Sequence, residues 1–209
     1  MRKAIIDRKT SETQISGFLE VDGKGDSTIE TGIGFLNHML EIFAKHGLFD
    51  LELRAKGDLR VDLHHTNEDI GICLGEAFKK ALGEKAGIRR VGSCSFPLDE
   101  AVARAVVDLS GRPYLDFKDD SETKKEASLD RSVRPASKEE TYAYSIDDAE
   151  DLWRAFALNA GATLHVWIEK GKDAHHIIET VFKSIARALD EATQIDPRVK
   201  GVPSTKGTL

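Results

Sequence analysis

The chain has 209 residues, 40% of them hydrophobic, and a formal net charge of −6. That length supports one sizeable core, or two small similar halves packed as one unit. The acidic balance leaves no basic footprint for nucleic acid, and no apolar run is long enough to cross a bilayer. The N-terminal run Met1-Arg2-Lys3-Ala4-Ile5-Ile6-Asp7 lacks the apolar stretch of a signal peptide. Cys73 and Cys94 offer no disulfide framework, which fits a cytoplasmic protein with reduced thiols.

Residues 4–31 read as strands. Ile15, Gly17, Leu19 and Val21 alternate with their neighbours, and Asp22-Gly23-Lys24-Gly25 forms a turn. Thr31-Gly32-Ile33-Gly34 is a flexible lead-in to a helix carrying Phe35, Leu36, Met39, Leu40 and Phe43, with His38 and His46 on it. Leu51, Leu53 and Ala55 alternate with charged residues as a half-buried strand, broken by Gly57-Asp58. A helix bearing Ile70, Cys73, Leu74, Ala77, Phe78 and Ala81 follows and ends near Gly83 or Gly87.

A second half, 93–209, begins around Ser93, after a first half at 1–92. Ala101 to Leu109 suits a buried strand, Ser110-Gly111-Arg112-Pro113 a turn, and Tyr114 to Phe117 a short strand. From Lys118 to Asp148 the chain is charged and irregular and reads as a mobile loop with a short helical piece. A helix with Leu152, Trp153, Phe156 and Leu158 precedes a strand in which Leu164, Val166 and Ile168 alternate with His165, Trp167 and Glu169. The last helix carries Ile178, Val181, Phe182, Ile185 and Leu189, and the tail from Gly201 has no periodicity. Both halves run strands, helix, strand, helix, which marks an internal duplication.

The two closing helices open on the same motif: His64-His65-Thr66-Asn67-Glu68 and His175-His176-Ile177-Ile178-Glu179. The first His and the Glu lie four apart, so they share a helix face, while the second His is rotated by roughly 100°. Each motif thus offers one His/Glu pair to one ion and a lone His to another. A single copy would read equally well as a helix N-terminus with solvated histidines. Two copies holding four of the seven histidines put metal ligation ahead. Imidazole with carboxylate suits Mn, Fe, Zn, Ni or Co better than Mg or Ca. Aligning Ala44-Lys45-His46-Gly47 with Ala157-Leu158-Asn159-Ala160 sets His38 opposite Asp151, and both are possible ligands. Pseudo-symmetry then pairs His175, Glu179, His65 and His38 on one ion, and His64, Glu68, His176 and Asp151 on the other. Whether these meet in one chain or across subunits is open.

These residues resemble the imidazoleglycerol-phosphate dehydratase family. The resemblance runs through Arg8-Lys9-Thr10-Ser11-Glu12-Thr13, Thr31 to Leu40, both His-His motifs, Gly87-Ile88-Arg89-Arg90, Pro97-Leu98-Asp99-Glu100-Ala101, Asp108 to Tyr114, and Pro203-Ser204-Thr205-Lys206-Gly207. It implies a duplicated α+β fold with ribosomal protein S5 domain 2-like halves, its helices packed between two four-stranded sheets. It also implies two Mn2+ ions (manganese) per active site, a homo-oligomer of 24 subunits with sites at subunit interfaces, and dehydration of a small phosphorylated imidazole substrate. By the same resemblance Glu12 is the acid-base residue that touches substrate. His38, His46, Arg90, Arg112, Lys183, Ser204 and Lys206 contact the substrate, the cationic and hydroxyl groups suiting its phosphate. Three features depart from the family: Asn37 stands where Asp usually precedes the ligand His, Asp151 replaces a His, and the 118–148 segment is unlike the usual linker. A dinuclear metal hydrolase and a metal-binding paralogue with altered catalysis are the alternative readings.

Overall fold

The computed structural model describes residues 2–121 and 144–209. The first half runs β1 (Lys3–Lys9), β2 (Thr13–Glu20), β3 (Ser27–Glu30), α1 (Gly34–Gly47), β4 (Asp50–Gly57) and α2 (His64–Leu82). The second runs β5 (Val91–Leu98), β6 (Ala101–Asp108), β7 (Tyr114–Asp119), α3 (Ile146–Ala160), β8 (Thr163–Lys170) and α4 (Ala174–Thr193). The sheets have matching orders, β1-β2-β4-β3 and β5-β6-β8-β7. In each, the third strand of its half pairs parallel to the fourth and the other pairings are antiparallel. The α+β duplication is therefore present in the topology. β5 begins at Val91, so Ser93 lies inside it.

Helices fill the space between the sheets. α2 and α1 lie against the first sheet, and α4 and α3 against the second. In the middle α2 packs on α3 and α1 on α4, so every helix crosses a helix of the other half. The alternating pattern predicted for β8 is present: Leu164, Val166 and Ile168 face the core. One residue from each helix, or two, meets at the centre: Phe43, Phe78, Trp153 with Phe156, and Phe182 are all fully buried. Trp153 lies 5.4 Å from Phe43 and 5.0 Å from Phe182, ring centre to ring centre. Each such side chain contributes about 2 kcal/mol by leaving water.

The α2–α3 crossing is close because α2 presents Gly71 and Gly75 to it. A Cβ at Gly71 would stand 2.4 Å from the Leu152 carbonyl oxygen, and one at Gly75 2.5 Å from that of Phe156.

Three expectations change. Thr31-Gly32-Ile33-Gly34 is pinned rather than flexible: Asn37 Oδ1 accepts from Thr31 N at 2.9 Å and from Thr31 Oγ1 at 2.6 Å. Leu158, grouped with the apolar residues of its helix, is 54% exposed. The segment predicted as a loop from Lys118 to Asp148 is ordered at both flanks, in β7 to Asp119 and from the Ser145–Asp148 capping box into α3. Residues 122–143, the rest of that segment, lie outside the described residues.

Candidate active site

Both His-His motifs sit on the first turn of a helix, and the same device holds them. Asp62 Oδ1 accepts from His64 N at 2.9 Å, and Asp173 Oδ1 from His175 N at 2.7 Å. Asp173 is the N-cap of α4 and Asp62 stands one residue ahead of the N-cap Leu63 of α2; each satisfies a first-turn N–H that has no partner within the helix.

The first histidine of each motif joins its Glu and one residue from the helix of the other half. His38 on α1 meets His175 and Glu179 on α4. Their donor atoms all lie within 4.8 Å of one another, and His175 Nε2 is 3.2 Å from Glu179 Oε2. Asp151 on α3 meets His64 on α2, with Oδ2 3.6 Å from His64 Nδ1, while His64 Nε2 is 3.7 Å from Glu68 Oε2. The two triads are counterparts under the duplication. The second is looser, because its carboxylates face different nitrogens of one ring. Imidazole and carboxylate donors that converge in this way fit manganese chemically.

The second histidines point to other partners. His65 Nδ1 is 3.0 Å from Asp58 Oδ2, and His176 Nδ1 is 2.9 Å from Glu100 Oε2. Asp58 first of all raises the pKa of His65, and Glu100 that of His176. A carboxylate on Nδ1 holds the proton there and leaves Nε2 free as a ligand. His65 is not part of the His38 group, so the pairing drawn from pseudo-symmetry does not close within one chain among the described residues. Asn37, which stands where the family usually has Asp, holds Thr31.

Glu12 stands in the β1–β2 turn, half exposed, its Oε2 3.8 Å from His65 Nδ1. Lys183 is buried, with Nζ 2.6 Å from Glu179 Oε1. Burial raises the pKa of the Glu179 carboxyl, and Lys183, His175 and His38 together more than offset it. His46 packs edge-on against Phe96 at 5.2 Å, and Lys183 Nζ lies 5.2 Å over the same ring. Burial, then the Lys183 and Arg187 cations, keep the His46 imidazole below its ordinary value. A cavity of about 360 Å³ opens beside these groups, lined by His38, Glu41, Ile42, Lys45 and His46.

The other phosphate candidates gather elsewhere. Arg90 forks onto Asp108 at 2.6 and 2.9 Å, and its Nη1 donates to the Pro203 carbonyl at 2.9 Å. Arg112 reaches the same Asp108 at 3.7 Å. Next to Pro203, Ser204 Oγ accepts from Lys206 N at 3.2 Å. Arg90 N also donates to Ala192 O, nine residues beyond Lys183 on α4 and thus roughly 13 Å along it. One chain therefore separates Arg90, Arg112, Ser204 and Lys206 from His46 and Lys183.

Sequence reasoning assigned no role to Asp58, Asp69, Phe96, Glu100 or Asp108. Glu100 was findable: it stands one residue before β6 as Glu12 stands one before β2.

The family model for imidazoleglycerol-phosphate dehydratase matches residues 31–189. The imidazoleglycerol-phosphate dehydratase of Halalkalibacterium halodurans is 54% identical over 209 residues, 100% of each chain. That of Geobacillus kaustophilus is 50% identical over 208 residues, 100% of this chain and 99% of its own. The crystal structure of the Staphylococcus aureus dehydratase superposes with a TM-score of 0.73 at 35% identity, over 92% of this chain and 100% of that one. The Pyrococcus furiosus structure gives 0.75 at 33% identity, over 98% and 100%. No helix among the described residues is long and apolar enough to cross a membrane. Matched along its whole length and in its fold, with the motif histidines brought beside carboxylates, the chain belongs to the imidazoleglycerol-phosphate dehydratase family.

Proposed function

We propose that the chain dehydrates imidazoleglycerol phosphate to imidazole-acetol phosphate and water, a step of histidine biosynthesis, at a site holding two manganese ions. The observation that carries this reading is the pair of duplicated triads, each short of ligands and each matched by a second histidine fixed elsewhere. His38, His175 and Glu179 with His65 hold one ion; His64, Glu68 and Asp151 with His176 hold the other. His65 stands outside the His38 group of its own chain, and in this reading it and His176 serve triads of neighbouring copies through Nε2. The working form is then a homo-oligomer, of 24 subunits as the resemblance implies.

The carbon beside the imidazole ring carries the hydroxyl that departs, and the proton to be removed lies on the next carbon, with no carbonyl to acidify it. Two ions held by these residues would supply Lewis-acid stabilisation of a deprotonated ring, which helps expel the hydroxyl beside it. Glu12 takes that proton and returns it to the departing hydroxyl, which leaves as water, and the enol left behind tautomerises to the ketone of the product. The guanidinium groups of Arg90 and Arg112, with Ser204 and Lys206, bind phosphate; Asp108 fixes the Arg90 fork. His46 and Lys183, which lie apart from Arg90 in one chain, close the phosphate pocket from a second chain.

The test is purified protein assayed with imidazoleglycerol phosphate and manganese. Formation of imidazole-acetol phosphate, lost on chelation, is expected. Hydrolysis of phosphate esters without need for the imidazole ring would point to a dinuclear hydrolase, and metal binding without turnover to an altered paralogue.

A further inference from the structure

The turn that carries Glu12 is held from a ligand-bearing helix. Asp69, the residue after Glu68 on α2, is 8% exposed and reaches both strands that flank the turn. Its Oδ1 accepts from Arg8 Nε at 2.9 Å and lies 2.8 Å from Arg8 Nη2, on β1. Its Oδ2 accepts from the Thr13 hydroxyl, on β2, in a short contact. Thr13 is 3% exposed. Within the turn, Thr10 Oγ1 accepts from Glu12 N at 3.1 Å and from Thr13 N at 2.9 Å, and it lies 3.2 Å from Thr13 Oγ1. A chain of hydrogen bonds thus runs from Asp69 through Thr13 and Thr10 to the backbone of Glu12. It uses Arg8, Thr10 and Thr13, which have no place in the chemistry proposed above.

The duplication supplies a control. Counting equally from each His-His motif sets Thr180 opposite Asp69. The strand registers, Arg8 with Ile15 and Phe96 with Ala103, set Phe96 opposite Arg8 and Ala101 opposite Thr13. The Thr180 hydroxyl donates to its own helix at Ile177 O, 2.7 Å away. No member of the clamp is present in the second half, where Glu100 is held instead by backbone N–H groups and by His176. Among the described residues, the clamp occurs in the half whose carboxylate stands 3.8 Å from its histidine and not in the half where the two are hydrogen-bonded.

We infer that Asp69, acting through Arg8 and Thr13, is the positioning residue that sets the Glu12 carboxylate against the metal-bearing helix. This rests on the role of Glu12 proposed above. A carboxylate fixed by its turn meets the substrate proton in one geometry, and misplacement by about 1 Å costs up to 10²-fold in rate.

The experiment uses the manganese-loaded, full-length protein. Asp69→Asn should lower kcat by roughly 10-fold or more with KM and metal content unchanged. Thr13→Val should do the same, and Thr13→Ser, which keeps the hydroxyl, should recover most of the loss; this pair decides the matter if Asp69→Asn fails to fold. In a Glu12→Gln background neither Asp69→Asn nor Thr13→Val should slow the enzyme further, because both act through Glu12. An undiminished extra loss in that background, or loss of metal from the single variants, overturns the inference while the role of Glu12 stands. Full activity of Glu12→Gln itself overturns both.

Discussion

Glu12 and Glu100 occupy equivalent positions, one residue ahead of β2 and β6, but only Glu100 is engaged: its Oε2 lies 2.9 Å from His176 Nδ1, while Glu12 Oε2 stays 3.8 Å from His65 Nδ1. Asp58 orients His65 in the first half, as Glu100 orients His176 in the second. The backbone N–H of Asp173 and the His176 ring, with lesser contributions, bring Glu100 down to about 2. A carboxyl so placed stays ionised and holds no proton for chemistry. Glu12→Gln should therefore lower kcat by roughly 10²-fold or more with manganese content intact. Glu100→Gln should instead weaken manganese binding by roughly 10- to 100-fold, the usual effect of losing a carboxylate behind a ligand histidine. Steady-state kinetics and metal titration of both variants make the check; equal effects on kcat would contradict it.

Asp151 stands 3.6 Å from His64 in the place that His38 takes in the other triad. Two carboxylates neutralise more of an ion's charge than one and leave it a weaker Lewis acid. Asp151→His should keep or raise turnover, and Asp151→Ala should lose one ion per site while the other stays. Metal analysis of the two proteins reads this directly.

Gly71 sets the spacing between the helices that carry His64 and Asp151. A methyl there meets the Leu152 carbonyl oxygen at 2.4 Å and the Ala155 Cβ at 2.9 Å, so the helices must part. Gly71→Ala should cost about 1–3 kcal/mol in unfolding free energy. It should also lower occupancy of the Asp151 ion more than of the His38 ion, seen by metal titration.

Asp50 accepts from Lys24 N at 2.7 Å and from Asp26 N at 3.0 Å, tying the 22–26 turn to β4. Burial raises its pKa, but the backbone N–H groups of Lys24, Asp26 and Gly25 prevail and hold it below the ordinary carboxyl value. A carboxyl lowered in the folded state stabilises above its unfolded value, and that gain is lost as pH falls through the folded value. Asp50→Asn should remove about 1 kcal/mol near neutral pH. It should remove progressively less below about pH 4, so that denaturant curves of the two proteins converge in acid.

Metal and assembly should be coupled, since His65 and His176 are proposed to serve neighbouring chains. Light scattering should show a large oligomer with manganese and smaller species after chelation. A monomer under both conditions would remove the basis for ligands shared between chains.

The duplicated architecture was legible because apolar periodicity repeats in both halves: Ile70 to Ala81 and Ile178 to Leu189 bury the faces that their spacing assigns. That His38 and Asp151 take matching places, each beside the first histidine of a motif, was legible because helix ends give a count that carries across the duplication. The Asp69 clamp was not legible. It joins residues about sixty positions apart through a hydroxyl and a guanidinium, and spacing along one helix carries no trace of a strand above it. The split of the phosphate candidates was equally hidden, since Arg90 and Lys183 are related only through the length of α4.

Each triad draws its residues from both halves, α1 with α4 and α2 with α3, so neither half carries a complete set. A symmetric dimer of one half would be bound to build two identical triads, because every substitution would appear twice. Joining the halves in one polypeptide lifts that constraint. His38 and Asp151 have since become different donors, and Glu12 and Glu100 different instruments, without disturbing the frame. Joining the halves gives independence: two side-chain clusters related by the duplication can be adjusted one at a time.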